Sequence, residues 1–249
     1  MRVGLMLLLT LTWCASPLQA QDLAATCHAT SSYDITLKPA GLAFDRPSPA
    51  PFHVELQAGT LRTDGQAVVL NAENQDRLVL FERQLRALVP QVRTVARHGV
   101  EMAVQGVRAE ADGMGLGADT RAELDRRLNT HADALKRRIA VSQTTHDWQG
   151  DFADQTMNQI GADLLPLLAS DLGQQAINAA LAGDLQAAAS LRDRAASLAT
   201  ELQPRMQQRM QALRPQIQAL CPAIEKLAAL QQGVRGSNGQ PLNLLQLRQ

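Results

Sequence analysis

Histidine, cysteine, serine and paired acidic side chains are the groups that could do chemistry in this chain, and their spacing argues against convergence. The five histidines, His28, His53, His98, His131 and His146, are scattered along the sequence. No two lie three or four residues apart and no acidic ligand pattern accompanies them, whereas a metal site needs ligands that converge. His146-Asp147 comes nearest to an acid/base arrangement, yet adjacent residues seldom point at one substrate atom. If the chain were a hydrolase of an envelope polymer, its centre would be His146, Asp147, Trp148 and Asp151. No serine sits in a Gly-x-Ser-x-Gly elbow and none precedes a lysine at Ser-x-x-Lys spacing. Glu110 with Asp112, and Glu123 with Asp125, are paired carboxylates on charged helix faces, where solvation is the simpler account. Gly113-Met114-Gly115-Leu116-Gly117 looks like a phosphate cradle, but that motif follows a strand and here a helix precedes it. Met206 and Met210 could line an adaptable surface, although their seam positions favour core packing. The expectation is no catalytic residue, no metal and no cofactor.

Two cysteines carry more information. The first twenty residues read as a secretory leader: Arg2, an apolar run from Val3 to Trp13, then Pro17-Leu18-Gln19-Ala20 before Gln21. Cleavage is expected after Ala20, giving a periplasmic protein. Cys14 offers a competing lipoprotein site, weakened by Trp13 where a small residue is wanted. Removing the leader leaves Cys27 and Cys221, an even count that suggests one disulfide in an exported chain, with two buried thiols as the alternative. Basic and acidic residues number 24 each, which gives no reason to expect nucleic acid or an anionic membrane as partner. No segment after the leader approaches the ~20 apolar residues of a membrane span.

The elements that must position these groups organise around Asn71 to Asp112. Leu78, Phe81, Leu85, Leu88, Val92 and Val95 recur in steps of three and four, and the seam then drifts to Ala96, Val100, Ala103 and Val107. This predicts one long helix, capped by Asn71, with Pro90 off the seam and Gly99 and Gly106 weakening its second half. Before it, Tyr33 to Leu37, Phe52 to Leu56, Thr60 to Thr63 and Gln66 to Leu70 alternate as strands, with Asp64-Gly65 as a hairpin turn. A small antiparallel sheet of three or four strands would rest on the helix. A second helix from Ala118 or Asp119 places Leu124, Leu128, Ala132, Leu135 and Ile139 on one face. Phe152 to Leu181 is apolar almost all round, which predicts more than one buried side. A last long helix runs from Leu191 to Leu227, its seam matching that of the first. The fold class is therefore α+β, mainly α, in four regions: 1–20 leader, 21–70 sheet, 71–232 long-helix bundle of antiparallel hairpins with coiled-coil-like seams, and 233–249 tail. Within that tail, Leu242 to Leu247 would add a strand or dock loosely.

In order, Cys27, Leu61-Arg62-Thr63-Asp64-Gly65 leading to Leu70, Gln75, the Leu-Arg-Ala-Leu-Val-Pro run ending at Pro90, and Cys221 form a set. That set resembles the YggN-like family of exported gammaproteobacterial proteins of unknown function. The resemblance implies a periplasmic, mainly helical protein with a small N-terminal β part, and it brings no activity or site residues. Composition, seams and the lack of a convergent polar site predict a non-enzymatic scaffold, binding or chaperone-like protein of the cell envelope that holds a protein partner or client. An envelope-polymer hydrolase, or a lipid or apolar-ligand carrier built on Ile160 to Leu172, is the alternative. Unpaired seams close within one chain or between copies, so a homo-oligomer stays open.

Overall fold

The computed structural model describes residues 26–148 and 151–247. Side chains of 151–154, 197–199 and 201–203 lie outside that description, including that of Asp151, as do residues 1–25 with Cys14 and the expected leader. The chain is mainly helical, with a small antiparallel sheet near its N-terminus and a second, two-stranded one.

A two-residue strand β1 (Ala29–Thr30) comes first. Then β2 (Asp34–Lys38), β3 (Gly41–Asp45), β4 (His53–Gln57), β5 (Thr60–Thr63) and β6 (Gln66–Val68) form an antiparallel meander in sequence order. This is five strands, where alternation predicts three or four. The missing strand is β3, whose Gly41 to Phe44 are all buried, so its run of apolar residues shows no period of two. The hairpin turn at Asp64-Gly65 forms as expected, with φ of 48° and 80°, and Ala58-Gly59 repeats it with 46° and 80°. Two cross-strand rows line one face: Leu42, Leu56 and Leu61, then Phe44, Val54 and Thr63.

Helix α1 (Ala72–Met114) runs 43 residues, about 65 Å at 1.5 Å per residue. Asn71 caps it by accepting from the Asn74 amide at 2.8 Å, Pro90 lies within it without ending it, and Gly115 follows it in the left-handed conformation. The helix serves two cores in succession. Its Leu78, Phe81, Leu85 and Leu88 pack on the sheet, while Val104, Val107 and Ala111 belong to a second cluster. Val92, expected on the seam, stands 36% exposed between them.

The second cluster is closed by α2 (Ala118–Val141) through Leu124 and Leu128, by α3 (Asp151–Leu181) through Leu164, Leu168 and Leu172, and by Leu191 and Ala195 of α4 (Leu185–Met210). Ion pairs Asp112–Arg121, Arg108–Asp125 and Glu101–Lys136 show α1 and α2 running in opposite directions. The expectation for α3 needs correction. Its buried side chains form one stripe in steps of four, and Met157, Ile177 and Leu181 are exposed.

The final helix is also not continuous. After α4 come a 3-10 turn (Gln211–Leu213), the short α5 (Arg214–Gln218) and α6 (Cys221–Gln231). Pro215 and Pro222 open α5 and α6, because proline lacks the amide that a preceding turn would use. The seam residues still pair with α1: Leu220, Ile224 and Leu227 join the first core. The segment after Gly233 is no loose tail. Val234, Leu242 and Leu244 are each 1% exposed within that core, and β7 (Gln246–Leu247) pairs antiparallel with β1. A disulfide joins Cys27 to Cys221, Cα atoms 5.1 Å apart, so the thiol alternative falls away.

Candidate functional site

The polar segment from Ser142 to Trp148 is the sequence's least implausible centre, and the structure gives partners to its hydroxyls, His146, Asp147 and Trp148. It lies along the free edge of β2. Leu37 donates its amide to the Gln143 carbonyl at 2.7 Å, and Thr145 donates to the Ile35 carbonyl at 2.9 Å. Ile35 in turn donates to Thr145 Oγ1 at 2.8 Å. The segment thus satisfies an edge that would otherwise expose unpaired backbone groups. His146 Nδ1 lies 3.0 Å from Asp34 Oδ2, so its acidic partner is on β2 and not the adjacent Asp147. Asp147 instead accepts from Ser142 Oγ at 3.3 Å, and Trp148 Nε1 donates to the same hydroxyl at 2.8 Å. The His146 side chain is 78% exposed, which gives it no shielded place for proton transfer. His146, Asp147 and Trp148 together make an edge clip, while the Asp151 side chain is outside the described residues.

Three of the other histidines, His53, His98 and His131, also sit in structural pairs. His53 Nδ1 lies 2.5 Å from Asp45 Oδ1 directly across the β3–β4 ladder, with Glu55 on its other nitrogen at 3.3 Å. The hydrogen bond to Asp45 raises the His53 pKa above its ordinary value. Lys38, bonded to Glu55 at 2.7 Å, holds that carboxyl below the usual range. His131 bonds Asp163 at 2.9 Å and so ties α2 to α3 alongside Arg127. His28 is exposed. Among the described residues no group of three or more His, Cys, Asp or Glu side chains could hold a metal ion.

Met206 and Met210 do not line an open surface. A Cβ on Gly106 would stand 2.8 Å from Met206 Sδ, and one on Gly99 would stand 3.2 Å from Leu213 Cδ1 and 3.5 Å from Met210 Cε. The two glycines, seven residues apart on α1, are therefore seats for α4 and the turn after it. Beside this contact Glu110 accepts from Arg205 at 2.7 Å and Arg209 at 2.9 Å, and Arg205 first, then Arg209, lowers its pKa.

Two surface features were not marked in the sequence. One is the end of the α3–α4 pair, where Ile177, Leu181 and Leu185 are 55%, 83% and 72% exposed. Apolar residues at helix spacing looked like core there, and only burial separates the two cases. The other is an open cleft of about 560 Å3 between α1, α2 and α5, lined by Arg97, His98, Glu101, Lys136, Arg137 and Gln216 among others. Its residues come from segments up to 122 positions apart, Thr94 to Gln216, so no local motif announces it. No described helix is long and apolar enough to cross a membrane.

No curated protein and no solved structure matches the chain. A family model described as a protein of unknown function, DUF2884, matches residues 27–245, from the first cysteine of the disulfide to the residue before β7. It is consistent with the YggN-like resemblance, and the chain belongs to this family of unknown function.

Proposed function

We propose that the protein is exported to the cell envelope and works there as a non-enzymatic binding protein, its helical hairpins α1–α2 and α3–α4 presenting a docking end to a protein partner. The observation that carries this reading is the exposed aliphatic end of the second hairpin. Ile177 and Leu181 are one turn apart on α3, and Leu185 opens α4 directly after the three-residue Ala182–Asp184 turn. Leaving three aliphatic side chains in water forgoes roughly 1.5–3 kcal/mol each relative to full burial, which a partner surface would recover. The disulfide supports export, since such bonds persist in oxidising compartments. The pairing of His146 with Asp34 on an open surface supports the non-enzymatic part of the reading.

The test is crosslinking in intact cells followed by recovery of the periplasmic fraction, comparing the wild type with Leu181→Ser/Leu185→Ser. A chain beginning at Gln21 in that fraction, with one reproducible adduct lost in the double variant and thermal stability retained, is the expected result. Retention in the cytoplasm refutes export. An adduct pattern indifferent to the two substitutions refutes the docking end.

A further inference from the structure

We propose that the cleft between α1, α2 and α5 is a binding site for a phosphate group, gripped by Arg97, Arg137 and Lys136 with His98 at its wall. The proposal is independent of the docking end described above.

Three cationic side chains line the cleft against one carboxylate, and that carboxylate, Glu101, is already committed to Lys136 at 3.0 Å. Arg97 reaches Thr94 Oγ1 at 3.4 Å and feels Glu101 only at longer range, the pKa of that carboxyl being lowered by Lys136 first and by Arg97 least. Neither Arg97 nor Arg137 forms an ion pair within 4.0 Å among the described residues. On neighbouring faces of the same helices other cations are paired: Arg108 with Asp125, Arg127 with Asp163, and Arg205 and Arg209 with Glu110. Since the whole sequence has 24 basic and 24 acidic residues, the local excess comes from placement and not from composition.

The donor chemistry selects the ligand. Two guanidinium forks and an ammonium offer more N–H groups than the two oxygens of a carboxylate can accept, whereas a phosphate presents three or four. The surplus positive charge matches a dianion better than a monoanion. Gln216 holds the wall in place, its amide contacting His98 Nδ1 and leaving the other ring nitrogen without that contact. An open cleft of about 560 Å3 also has room for what the phosphate is attached to. The source is either a soluble phosphate ester or a lipid headgroup.

The experiment titrates the full oxidised chain with inorganic phosphate, glycerol 3-phosphate, citrate, and vesicles of phosphatidylglycerol or phosphatidylcholine, with NMR detection of the arginine Nε and Gln216 side-chain resonances. The expected result is saturable binding of a phosphate probe that shifts these signals. Arg97→Ala and Arg137→Ala should each weaken it on the order of tenfold or more, in line with loss of a charge-assisted hydrogen bond. Arg83→Ala, an exposed cation elsewhere on α1, should leave binding unchanged. Response to the soluble probes alone assigns a soluble ester, and response to phosphatidylglycerol vesicles alone assigns a headgroup. No saturation with any probe, citrate binding as tightly as phosphate, or equal loss in Arg83→Ala would overturn the proposal.

Discussion

Gln231 does at one residue what a strand does over several. It is 7% exposed, its side-chain nitrogen donates to the Leu245 carbonyl and its oxygen accepts from the Leu245 amide at 3.2 Å, so one amide reads both backbone groups of the closing segment. Tyr33 acts similarly from the sheet side, its hydroxyl within reach of the Pro51 and Leu242 carbonyls at 3.1 and 3.3 Å while burial raises its pKa. His53 is the residue whose charge should register in stability. Its folded pKa is raised above 6.5, so its contribution is fully present below that value and is lost as pH rises through the raised pKa. Urea unfolding followed from pH 6 to 8 should show a falling midpoint that flattens in His53→Ala, and an identical slope in both proteins would refute the link. At this scale the cysteines were legible because, with the expected leader and its Cys14 set aside, the two remaining thiols have only one intramolecular way to pair. The partner of His146 was not, since Asp34 lies 112 positions away and only folding brings them together.

Among the elements, α1 was read correctly at both ends because capping and punctuation are local: Asn71 accepts an amide three residues on, and Gly115 supplies a left-handed residue. The glycines within it were legible as residues but not in their effect. Helix propensity counts Gly99 and Gly106 as weak points, whereas the packing makes them the places where α4 and its following turn approach most closely. Gly106→Leu should therefore force Met206 and Arg209 away and destabilise by about 1–3 kcal/mol, as overpacking does. Gly106→Ala should cost far less, because a propensity gain of about 1 kcal/mol offsets crowding against the movable end of Met206. Thermal melts of both variants check the contrast, and equal melting temperatures would refute it. The errors in α3 and β3 share one cause. Periodicity reports which faces are apolar, and neither the exposed Leu181 nor the doubly covered Phe44 carries in its type any record of what stands opposite.

For the molecule as a whole, the first core draws on residues 27–95 and 220–245, while the second uses residues between 104 and 195 and so lies nested inside it. The disulfide spans 194 positions around that nested part. By the chain-entropy account such a crosslink stabilises by about 5 kcal/mol, and measured losses on removing native bonds run about 2–5. Cys27→Ser/Cys221→Ser should lower the denaturant midpoint accordingly without changing the helical circular dichroism, and a midpoint within error of the wild type would refute the role assigned to the bond. Nesting could not be read from the sequence, because regular seams say that helices have partners and not which core each half of a helix joins. It also sets an order of assembly. As the chain is made, α1 to α4 emerge with every contact the second core needs, but β1 must wait for β7 and the sheet for Val234, Leu242 and Leu244. The oldest part of the chain is thus completed by the newest, and for most of synthesis its apolar face on the sheet has no full cover.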